Sequence, residues 1–286
     1  MLRSSAKVNL TLEVLGKRPD GYHELSTVMQ AVDLFDRLTV ETADTITLET
    51  SDAALPTDDR NLVVRAALRL REEAGIHKGA RIVLDKRIPV AAGLGGGSSD
   101  AAATLWGLNR LWGLRWRRER LMALAVGLGM DVPFFLGPGR ALGTGRGEVL
   151  KSLPAVGGYA MVIVNPGVPL STQEVYGRVP EGWRAAPEGT KRLLEALRTR
   201  SAARLGAALT NHLERWVEPA MPVIGRMKAA LLAAGALGAL MSGSGPTVFG
   251  VARSLDHARQ IQRRVSRAGW SAWAVRTNSG PCIRAV

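Results

Sequence analysis

Glycine and serine are concentrated between residues 89 and 99, directly before an alanine-rich segment of helical character. Glycine lets backbone N–H groups approach an anion, and the first turn of a helix adds unpaired N–H groups and the positive end of the helix dipole. The segment therefore predicts a phosphate-binding loop, for which a nucleoside triphosphate is a natural ligand. Its residues are Pro89, Val90, Ala91, Ala92, Gly93, Leu94, Gly95, Gly96, Gly97, Ser98 and Ser99.

Neither of two well-known phosphate loops describes this segment. A Walker A loop has a lysine after its glycines, and none follows here. A G-x-G-x-x-G pattern cannot be drawn through Gly93 to Gly97 either. The loop therefore predicts another scheme of phosphate binding, and a glycine-rich helix cap or turn is the alternative without function.

A second candidate for chemistry is a strand predicted near the N-terminus. Polar and apolar side chains alternate from residue 7 to residue 14, which is typical of a β-strand. Lys7 and Asn9 therefore share one face of that strand. An exposed lysine on a strand surface is the alternative for Lys7.

Length and composition indicate a globular chain without a membrane partner. The 286 residues, of which 46% are hydrophobic, suffice for one large domain or two closely packed ones. The N-terminus lacks the apolar region of a signal peptide, and no apolar run matches a bilayer span, so we expect a cytoplasmic protein. The single cysteine, Cys282, excludes an internal disulfide, and the four histidines form no zinc signature, so we expect no protein-ligated metal.

The formal net charge of +13 raises the question of nucleic-acid binding. The excess comes mostly from arginines spread along the whole chain. The densest patch, at residues 115–120, has no aromatic-rich RNA-binding signature beside it. We therefore predict no nucleic-acid partner, since an arginine-rich composition or a field that attracts small anionic substrates explains the charge as well.

The order of strands and helices predicts an α+β fold in two parts. A boundary near residues 153–158 divides a strand-rich domain, residues 1–153, from a domain with longer helices, residues 154–286. Residues 180–190 are predicted to form an exposed loop. The predicted strands are 7–14, 24–34, 37–41, 45–50, 81–86, 159–164, 248–251 and 272–276, and the predicted helices are 61–74, 98–111, 117–128, 191–200 and 222–234.

Several motifs, taken together and in this order, resemble one family. They are AKVNL at 6–10, DGYHEL at 20–25, the glycine loop, GMDVPFF at 129–135 and GRGE at 145–148, and MSGSGPT at 241–247 resembles the third motif of the GHMP kinase superfamily. The combination resembles the 4-diphosphocytidyl-2-C-methyl-D-erythritol kinase family of that superfamily. The resemblance covers the chain from residue 6 to about residue 247.

The resemblance implies a kinase that moves the γ-phosphoryl group of ATP to the 2-hydroxyl of a cytidine-diphosphate-linked methylerythritol, in non-mevalonate isoprenoid precursor synthesis. It implies a two-domain GHMP kinase fold, with an N-terminal half like domain 2 of ribosomal protein S5 and a ferredoxin-like C-terminal half. ATP would lie in the cleft between the halves. Mg²⁺ would enter as MgATP, with Ser98 or Ser99 near it.

On the positions that match the motifs, the resemblance also implies catalytic residues. Asp131 is the candidate base for the acceptor hydroxyl, and Lys7 is the candidate cation that orients it and keeps it ionised. A helix or turn cap is the alternative for Asp131. Asn9 is a candidate substrate-binding residue beside Lys7.

Substrate specificity is expected in the second motif. Tyr22 can stack on cytosine while His23 hydrogen-bonds its edge. Tyr176 is a candidate for a second aromatic wall, with core packing as the alternative. The loop of Ser242, Gly243, Ser244 and Gly245 is expected to support the site, and a plain turn between strands is the alternative.

The sequence also departs from the family pattern. Ser5 stands where a proline is expected, Met130 stands where a small residue precedes the aspartate, and the tail from Trp270 matches no known pattern. A GHMP kinase acting on homoserine, mevalonate or a sugar, and a non-catalytic ligand or RNA binder of the same fold, are the alternative functions. Monomer and homodimer are both open.

Overall fold

Two β-sheets form the framework of the computed structural model, which describes residues 1–154, 158–278 and 280–285. The strands in these ranges are β1 (Leu2–Lys17), β2 (His23–Ala43), β3 (Ile46–Thr50), β4 (Gly79–Asp85), β5 (Arg140–Thr144), β6 (Val149–Ser152), β7 (Ala160–Asn165), β8 (Thr210–Asn211), β9 (Ala239–Met241), β10 (Val248–Ala252), β11 (Ser271–Arg276) and β12 (Ile283–Ala285). The α-helices are α1 (Leu62–Ala74), α2 (Gly96–Leu111), α3 (Arg118–Val126), α4 (Val132–Phe135), α5 (Thr172–Gly177), α6 (Glu188–Arg198), α7 (Ala202–Ala207), α8 (Glu214–Val217), α9 (Val223–Ala233) and α10 (Leu255–Val265), and a short 3-10 helix (Ser266–Ala268) follows α10.

Strands β1 and β2 form a long antiparallel hairpin with register shifts at three places. The turn between them is stabilised by residues within it. The Asp20 carboxylate accepts a hydrogen bond from the Tyr22 N–H (3.1 Å), and Gly21 takes a positive φ of 84°. The hairpin therefore presents Tyr22 and His23 at one end of the first sheet.

The first sheet brings strands from both ends of the chain together. Its order is β12-β1-β2-β4-β3, with β5 paired to β2 and β6, and with the short β8 parallel to β1. Helix α2 lies on strands β1 and β2 and buries Ala101, Leu105 and Leu108 in the core beneath it. Helix α1 packs beside α2. This packing fixes the N-terminal end of α2 next to β1.

The second sheet has the antiparallel order β11-β7-β10-β9. Helices α9 and α10 cover one face of it, and their side chains pack with those of β7 and β10. On its other face, Ile163 of β7 and Phe249 of β10 share a core cluster with Ala6, Val8 and Leu10 of β1. The apolar face of β1 therefore joins the two sheets.

The polar face of β1 is buried as well. Lys7, Asn9, Thr11 and Glu13 are each at most 4% exposed. Burial of polar groups is tolerated only when they are paired, and the Glu13 carboxylate accepts hydrogen bonds from two N–H groups in the first turn of α6 (2.7 and 2.8 Å). The exposed-strand alternative for Lys7 is therefore wrong.

Most of the predicted elements are confirmed. The five predicted helices correspond to α1, α2, α3, α6 and α9, and the strands predicted at 45–50, 81–86, 159–164, 248–251 and 272–276 correspond to β3, β4, β7, β10 and β11. Helix ends differ by a few residues because capping contacts decide them. For example, Asn61 Oδ1 accepts a hydrogen bond from the Val63 N–H (2.9 Å), and α1 begins after Asn61.

Two local predictions are wrong. The separate strands at 24–34 and 37–41 form one continuous strand, β2. Residues 180–190 are not an exposed loop throughout, because α6 begins at Glu188, Thr190 is buried, and Trp183 donates a hydrogen bond to the Val14 carbonyl (2.8 Å).

The C-terminal segment returns to the first sheet. After β11, the chain crosses back so that β12 pairs with β1. The short β8 also pairs with β1, so two strands from the second half of the chain complete the sheet of the first. Of the predicted boundary at 153–158, residues 155–157 lie outside the described residues, and the division into 1–153 and 154–286 stays a prediction.

Candidate active site

A cleft of about 1480 Å³ brings together residues that lie far apart in the sequence. Strand β1, the hairpin turn, the glycine loop, the start of α4, helix α5 and the loop after β9 all contribute side chains to its walls. Of the predicted site residues, Lys7, Asn9, Tyr22, His23, Asp131 and Tyr176 line this cleft.

The glycine loop forms the wall at the N-terminus of α2. The helix begins at Gly96 and Gly95 precedes it with a positive φ of 68°. A Cβ at Gly95 would lie 2.8 Å from the Phe135 ring and 3.2 Å from Lys7 Cε, so glycine lets the loop lie directly against Lys7. At Gly93, a Cβ would meet the Ser242 carbonyl oxygen at 2.2 Å. Glycine is therefore required at both positions for close approach.

Not every residue of the loop faces the cleft. Pro89 to Gly93 and Gly95 to Ser98 line it, whereas Leu94 is buried in the core. Ser99 is also buried, and its hydroxyl donates to the Ser5 carbonyl (2.7 Å). The Ser99 hydroxyl is therefore committed to the protein, and Ser98 is the serine that faces the cleft.

Lys7 and Asp131 form an ion pair in the wall of the cleft. Lys7 Nζ lies 3.2 Å from Asp131 Oδ2 and donates to Asn9 Oδ1 (2.7 Å). Asp131 occupies the position before α4, but its side chain makes no capping hydrogen bond. The helix-cap alternative for the carboxylate is therefore wrong. The Asp131 side chain is 34% exposed, so it is accessible from the cleft while Lys7 is held beneath it.

Asn9 is held by protein groups at both ends of its amide. Its oxygen accepts from Lys7, and its Nδ2 donates to Thr27 Oγ1 (2.8 Å). The Asn9 backbone N–H also donates to Ser242 Oγ (3.3 Å). Although Asn9 lines the cleft, its amide is engaged in orienting Lys7.

The predicted specificity residues form an aromatic group at one end of the cleft. The His23 and Tyr176 rings have centroids 5.4 Å apart and planes inclined by 32°. Tyr22 is 52% exposed, and the Arg146 guanidinium lies 4.9 Å from its ring centroid. Burial, together with the charge of Lys17, lowers the pKa of His23, so its imidazole is neutral at pH 7.

The position of Tyr176 fits both roles considered for it, and its part in the cytosine pocket stays a prediction. Its ring lines the cleft and also packs against the core cluster under the second sheet. Burial and the nearby Asp131 charge raise the pKa of Tyr176, which keeps its hydroxyl protonated.

The loop of residues 242–245 connects the walls of the cleft. Ser242 Oγ donates to the Gly93 carbonyl (2.9 Å), and Ser244 Oγ lies 2.9 Å from Thr172 Oγ1 of α5. Gly243 and Gly245 have positive φ values of 60° and 84°. The loop is thus a turn between β9 and β10 that also bonds to the glycine loop and to β1.

Known proteins match this chain over nearly its whole length. Two family models match it, "GHMP kinases N terminal domain" over residues 61–139 and "GHMP kinases C terminal" over residues 193–271. A protein of Symbiobacterium thermophilum named 4-diphosphocytidyl-2-C-methyl-D-erythritol kinase is 48% identical over 274 residues, which are 95% of this chain and 97% of that protein. The chain belongs to the 4-diphosphocytidyl-2-C-methyl-D-erythritol kinase family.

Solved structures agree with this family. A crystal structure of 4-(cytidine 5'-diphospho)-2C-methyl-D-erythritol kinase matches with a TM-score of 0.82 and 39% identity, over 98% of this chain and 100% of that one. The expected GHMP kinase fold and the class of ATP-dependent small-molecule kinase are confirmed. A homoserine kinase of Cytophaga hutchinsonii matches with a TM-score of 0.79 at 22% identity, over 100% of this chain and 96% of that one, and shows the shared fold alone.

Sequence reasoning missed a buried ion cluster beneath the family's glycine loop. Lys86 bonds to Asp36 and lies 3.1 Å from Asp100 Oδ2, and Ser4 Oγ donates to Asp100 Oδ1 (2.8 Å). Asp36 Oδ1 also accepts the N–H of Ile88 (2.8 Å), just before the loop. Lysine and aspartate at the two ends of the loop were the available signal, but Asp36 lies fifty residues away from Lys86.

Other residues of the cleft also escaped the sequence reasoning. Thr27, Arg60, Lys86 and Arg146 line it, and Met130, noted from the sequence as a departure from the family pattern, lines it too. In the part of the chain that the structure describes, no three His, Cys, Asp or Glu side chains form a metal-binding group. Among the same residues, no helix has the length and apolar character needed to cross a bilayer.

Proposed function

We propose that this chain transfers the γ-phosphoryl group of ATP to the 2-hydroxyl of 4-diphosphocytidyl-2-C-methyl-D-erythritol, in isoprenoid precursor synthesis by the non-mevalonate pathway. Membership of the family supports the reaction. The observation that carries the mechanism is the Lys7 and Asp131 pair, which lies beside the N-terminus of α2 and is open to the cleft.

The acceptor hydroxyl must lose its proton as its oxygen bonds to phosphorus. Asp131 accepts that proton on a carboxylate oxygen while the new P–O bond forms and the bond between the γ-phosphorus and the bridging oxygen of ADP breaks. Because the transition state is loose, the proton leaves late, and a carboxylate is basic enough to receive it.

Lys7 orients this carboxylate and supplies positive charge. An ammonium group has three N–H donors, and the two contacts to Asn9 and Asp131 leave one for the cleft. A cation held here stabilises negative charge on the transferred group without rearrangement at the moment of reaction.

The backbone N–H groups of Gly95 to Ser98 and the dipole of α2 bind the phosphates of ATP, whereas the Ser99 N–H donates to the Gly95 carbonyl (2.9 Å). Mg²⁺ neutralises phosphate oxygens when it is bound with the nucleotide. The residues present fit an ion carried in by ATP, because Ser98 faces the cleft and its hydroxyl has no hydrogen-bond partner among the described residues. Ser98 is therefore the side chain that would hold it.

The cytosine ring binds among Tyr22, His23 and Tyr176. An aromatic ring stacks on the base, and the neutral His23 imidazole offers one donor and one acceptor to the base edge. Tyr22 is exposed enough to accept a base against its free face. We place the reaction in the cytoplasm, and both a monomer and a homodimer are compatible with this site.

The experiment is turnover of ATP by the purified protein with Mg²⁺ and four acceptors in parallel. These are 4-diphosphocytidyl-2-C-methyl-D-erythritol, methylerythritol phosphate, mevalonate and homoserine. Phosphorylation of the first alone supports the proposed reaction and the cytosine pocket. Preference for mevalonate or homoserine would retain the phosphate loop and reject the pocket, and no turnover with any acceptor would reject catalysis.

A further inference from the structure

A buried chain of hydrogen bonds runs from a backbone carbonyl of β1 to the ammonium group of Lys7. Thr27 Oγ1 donates to the Thr11 carbonyl (2.6 Å), Asn9 Nδ2 donates to Thr27 Oγ1 (2.8 Å), and Lys7 Nζ donates to Asn9 Oδ1 (2.7 Å). All four residues are at most 4% exposed, so water competes little for these bonds. Lys7 is therefore tied to the backbone through two side chains.

Both ends of this chain permit only one direction of donation. A carbonyl oxygen can only accept, and an ammonium group can only donate. The Thr27 hydroxyl therefore gives its hydrogen to Thr11 and turns its lone pairs to Asn9. The Asn9 amide in turn has its nitrogen toward Thr27 and its oxygen toward Lys7. The backbone carbonyl of Thr11 thus fixes the orientation of an amide two bonds away.

The orientation of the Asn9 amide matters for Lys7. Among the described residues, Lys7 Nζ contacts the Asp131 carboxylate and one neutral group, the Asn9 amide. If the amide rotated by half a turn, its NH₂ group would face the ammonium, and two donors would oppose each other. Lys7 would then lose the contact that holds its Nζ at 3.2 Å from Asp131. The third N–H of Lys7 would no longer be directed by two fixed acceptors.

We propose that Thr27 is a positioning residue that fixes the Asn9 amide and, through it, the ammonium group of Lys7. The inference rests on the proposed function, because it assigns Lys7 to phosphoryl transfer. Thr27 lines the cleft, but its hydroxyl is engaged by Asn9 and Thr11 and acts on the reaction through Asn9. Its neighbour Ser26 is equally buried, but the Ser26 hydroxyl donates to Thr190 at the start of α6.

The test compares Thr27→Val, Thr27→Ala and Thr27→Ser with the matched control Ser26→Ala. Valine nearly preserves the shape of threonine and removes the hydroxyl, alanine removes both branches without crowding, and serine restores the hydroxyl. Ser26→Ala removes a buried hydroxyl one residue away that is not bonded to Asn9. The measurements are kcat, the KM for ATP, and the thermal unfolding midpoint of each protein.

We expect Thr27→Val and Thr27→Ala to lower kcat by about 10- to 100-fold, with the KM for ATP within about threefold of wild type. Thr27→Ser should retain kcat within about threefold, and Ser26→Ala within about twofold. In a Lys7→Ala background, Thr27→Ala should change kcat by less than about twofold, because the residue it positions is absent.

Three results would overturn the proposal. One is a kcat of Thr27→Ala within threefold of wild type, another is a loss in Thr27→Ser as large as that in Thr27→Ala, and the third is an undiminished effect of Thr27→Ala in the Lys7→Ala background. If Thr27→Val does not fold, Thr27→Ala and Thr27→Ser decide the question. Wild-type turnover of the cytidine acceptor tests the proposed function, whereas the ratios between variants are measured on whichever alcohol the wild type phosphorylates.

Discussion

Two lysines of this kinase pair with aspartates on either side of the glycine loop, in very different surroundings. Lys7 pairs with Asp131, whose side chain is 34% exposed to the cleft. Lys86 pairs with Asp36 and Asp100, whose side chains are at most 1% exposed. The difference shows that exposure of the aspartate, not residue type, separates a pair whose carboxylate is accessible from the cleft from a pair whose carboxylates are shielded from solvent.

The buried cluster also holds more charge than it can balance. Burial and the charge of Asp36 raise the pKa of Asp100 to about 7, although the charge of Lys86 opposes them. One lysine faces two carboxylates, so a proton on Asp100 near neutral pH leaves a balanced pair. No such excess exists at Lys7, where one ammonium faces one carboxylate and a neutral amide.

The largest expected effect is loss of turnover at the open pair. Asp131→Asn and Lys7→Ala should each lower kcat by about a thousandfold or more, because one removes the base and the other removes the positive charge beside it. The thermal unfolding midpoint should change by less than about 5 °C, because the amide oxygen of the asparagine variant can still accept from Lys7, and water can hydrate the exposed Asp131 when Lys7 is replaced. Steady-state kinetics and calorimetry check both.

The control for that experiment is Asp256→Asn, which changes an exposed carboxylate on α10 whose ion-pair partner among the described residues is Arg259. It should leave both quantities unchanged. If the kcat of Asp131→Asn or Lys7→Ala were close to wild type, that residue would have no role in the mechanism. The contrast between the open pair and the buried cluster would then not hold.

At the buried cluster we expect the opposite, a loss of stability. Asp36→Ala should lower the free energy of unfolding by about 3–5 kcal/mol, because it leaves two backbone N–H groups without their acceptor in a buried site and removes one of the two carboxylates that contact Lys86. Asp85→Ala, which removes an exposed partner of Arg87, should change it by less than about 1 kcal/mol. Urea denaturation of both variants measures this, and equal effects would show that burial is not the deciding factor.

The raised pKa of Asp100 predicts a pH dependence of stability that Asp100→Asn removes. The folded state binds this proton up to about pH 7, whereas the unfolded state releases it near the ordinary aspartate pKa of 3.8. The stabilisation that comes from the proton on Asp100 is therefore complete below pH 3.8. It is lost as the pH rises to about 7, by about 1.4 kcal/mol per pH unit at most.

Denaturation of the wild type and of Asp100→Asn at pH 5, 6, 7 and 8 checks this. The wild type should lose stability relative to the variant between pH 5 and pH 7 and run parallel to it above pH 7. Parallel curves over the whole range would mean that Asp100 is ionised throughout.

The smallest expected effect is at the exposed ring on the cleft wall. Tyr22→Ala should weaken binding of the cytidine substrate by about 1–3 kcal/mol if the ring stacks on the base. The free energy of unfolding should hardly change, because the ring is half exposed. Equilibrium binding of the substrate measures the effect, Tyr22→Phe is the matched variant that keeps the ring, and unchanged affinity in Tyr22→Ala would exclude stacking.

Local sequence patterns predicted much of the candidate site. The glycine loop was predicted from residue types alone, and the alternation from residue 7 to residue 14 correctly placed Lys7 and Asn9 on one face. The motifs singled out Lys7 and Asp131, and the structure places them 3.2 Å apart, while their catalytic roles stay predictions. These features depend on backbone conformation over a few residues, which neighbouring residue types control.

Local patterns failed where a partner lies far away in the chain. Ser98 or Ser99 was expected near Mg²⁺, but the Ser99 hydroxyl donates to the Ser5 carbonyl of β1. The contacts of the Asn9 amide with Thr27 of β2 and with Lys7 were not foreseen either, while its substrate-binding role stays a prediction. The tail from Trp270 had no interpretation until β12 was seen paired with β1. In each case a contact across the sheet decides what the side chain does.

The sequence by itself determined the phosphate loop, the main helices and strands, and the family, because glycine spacing, apolar periodicity and ordered motifs are properties of short segments. Only the tertiary structure decided that the polar face of β1 is buried and that Thr27 orients Asn9. It alone also placed Asp36, Lys86 and Asp100 beneath the loop as one cluster. Burial and hydrogen-bond direction depend on which distant strands and helices come together, and no short segment contains that information.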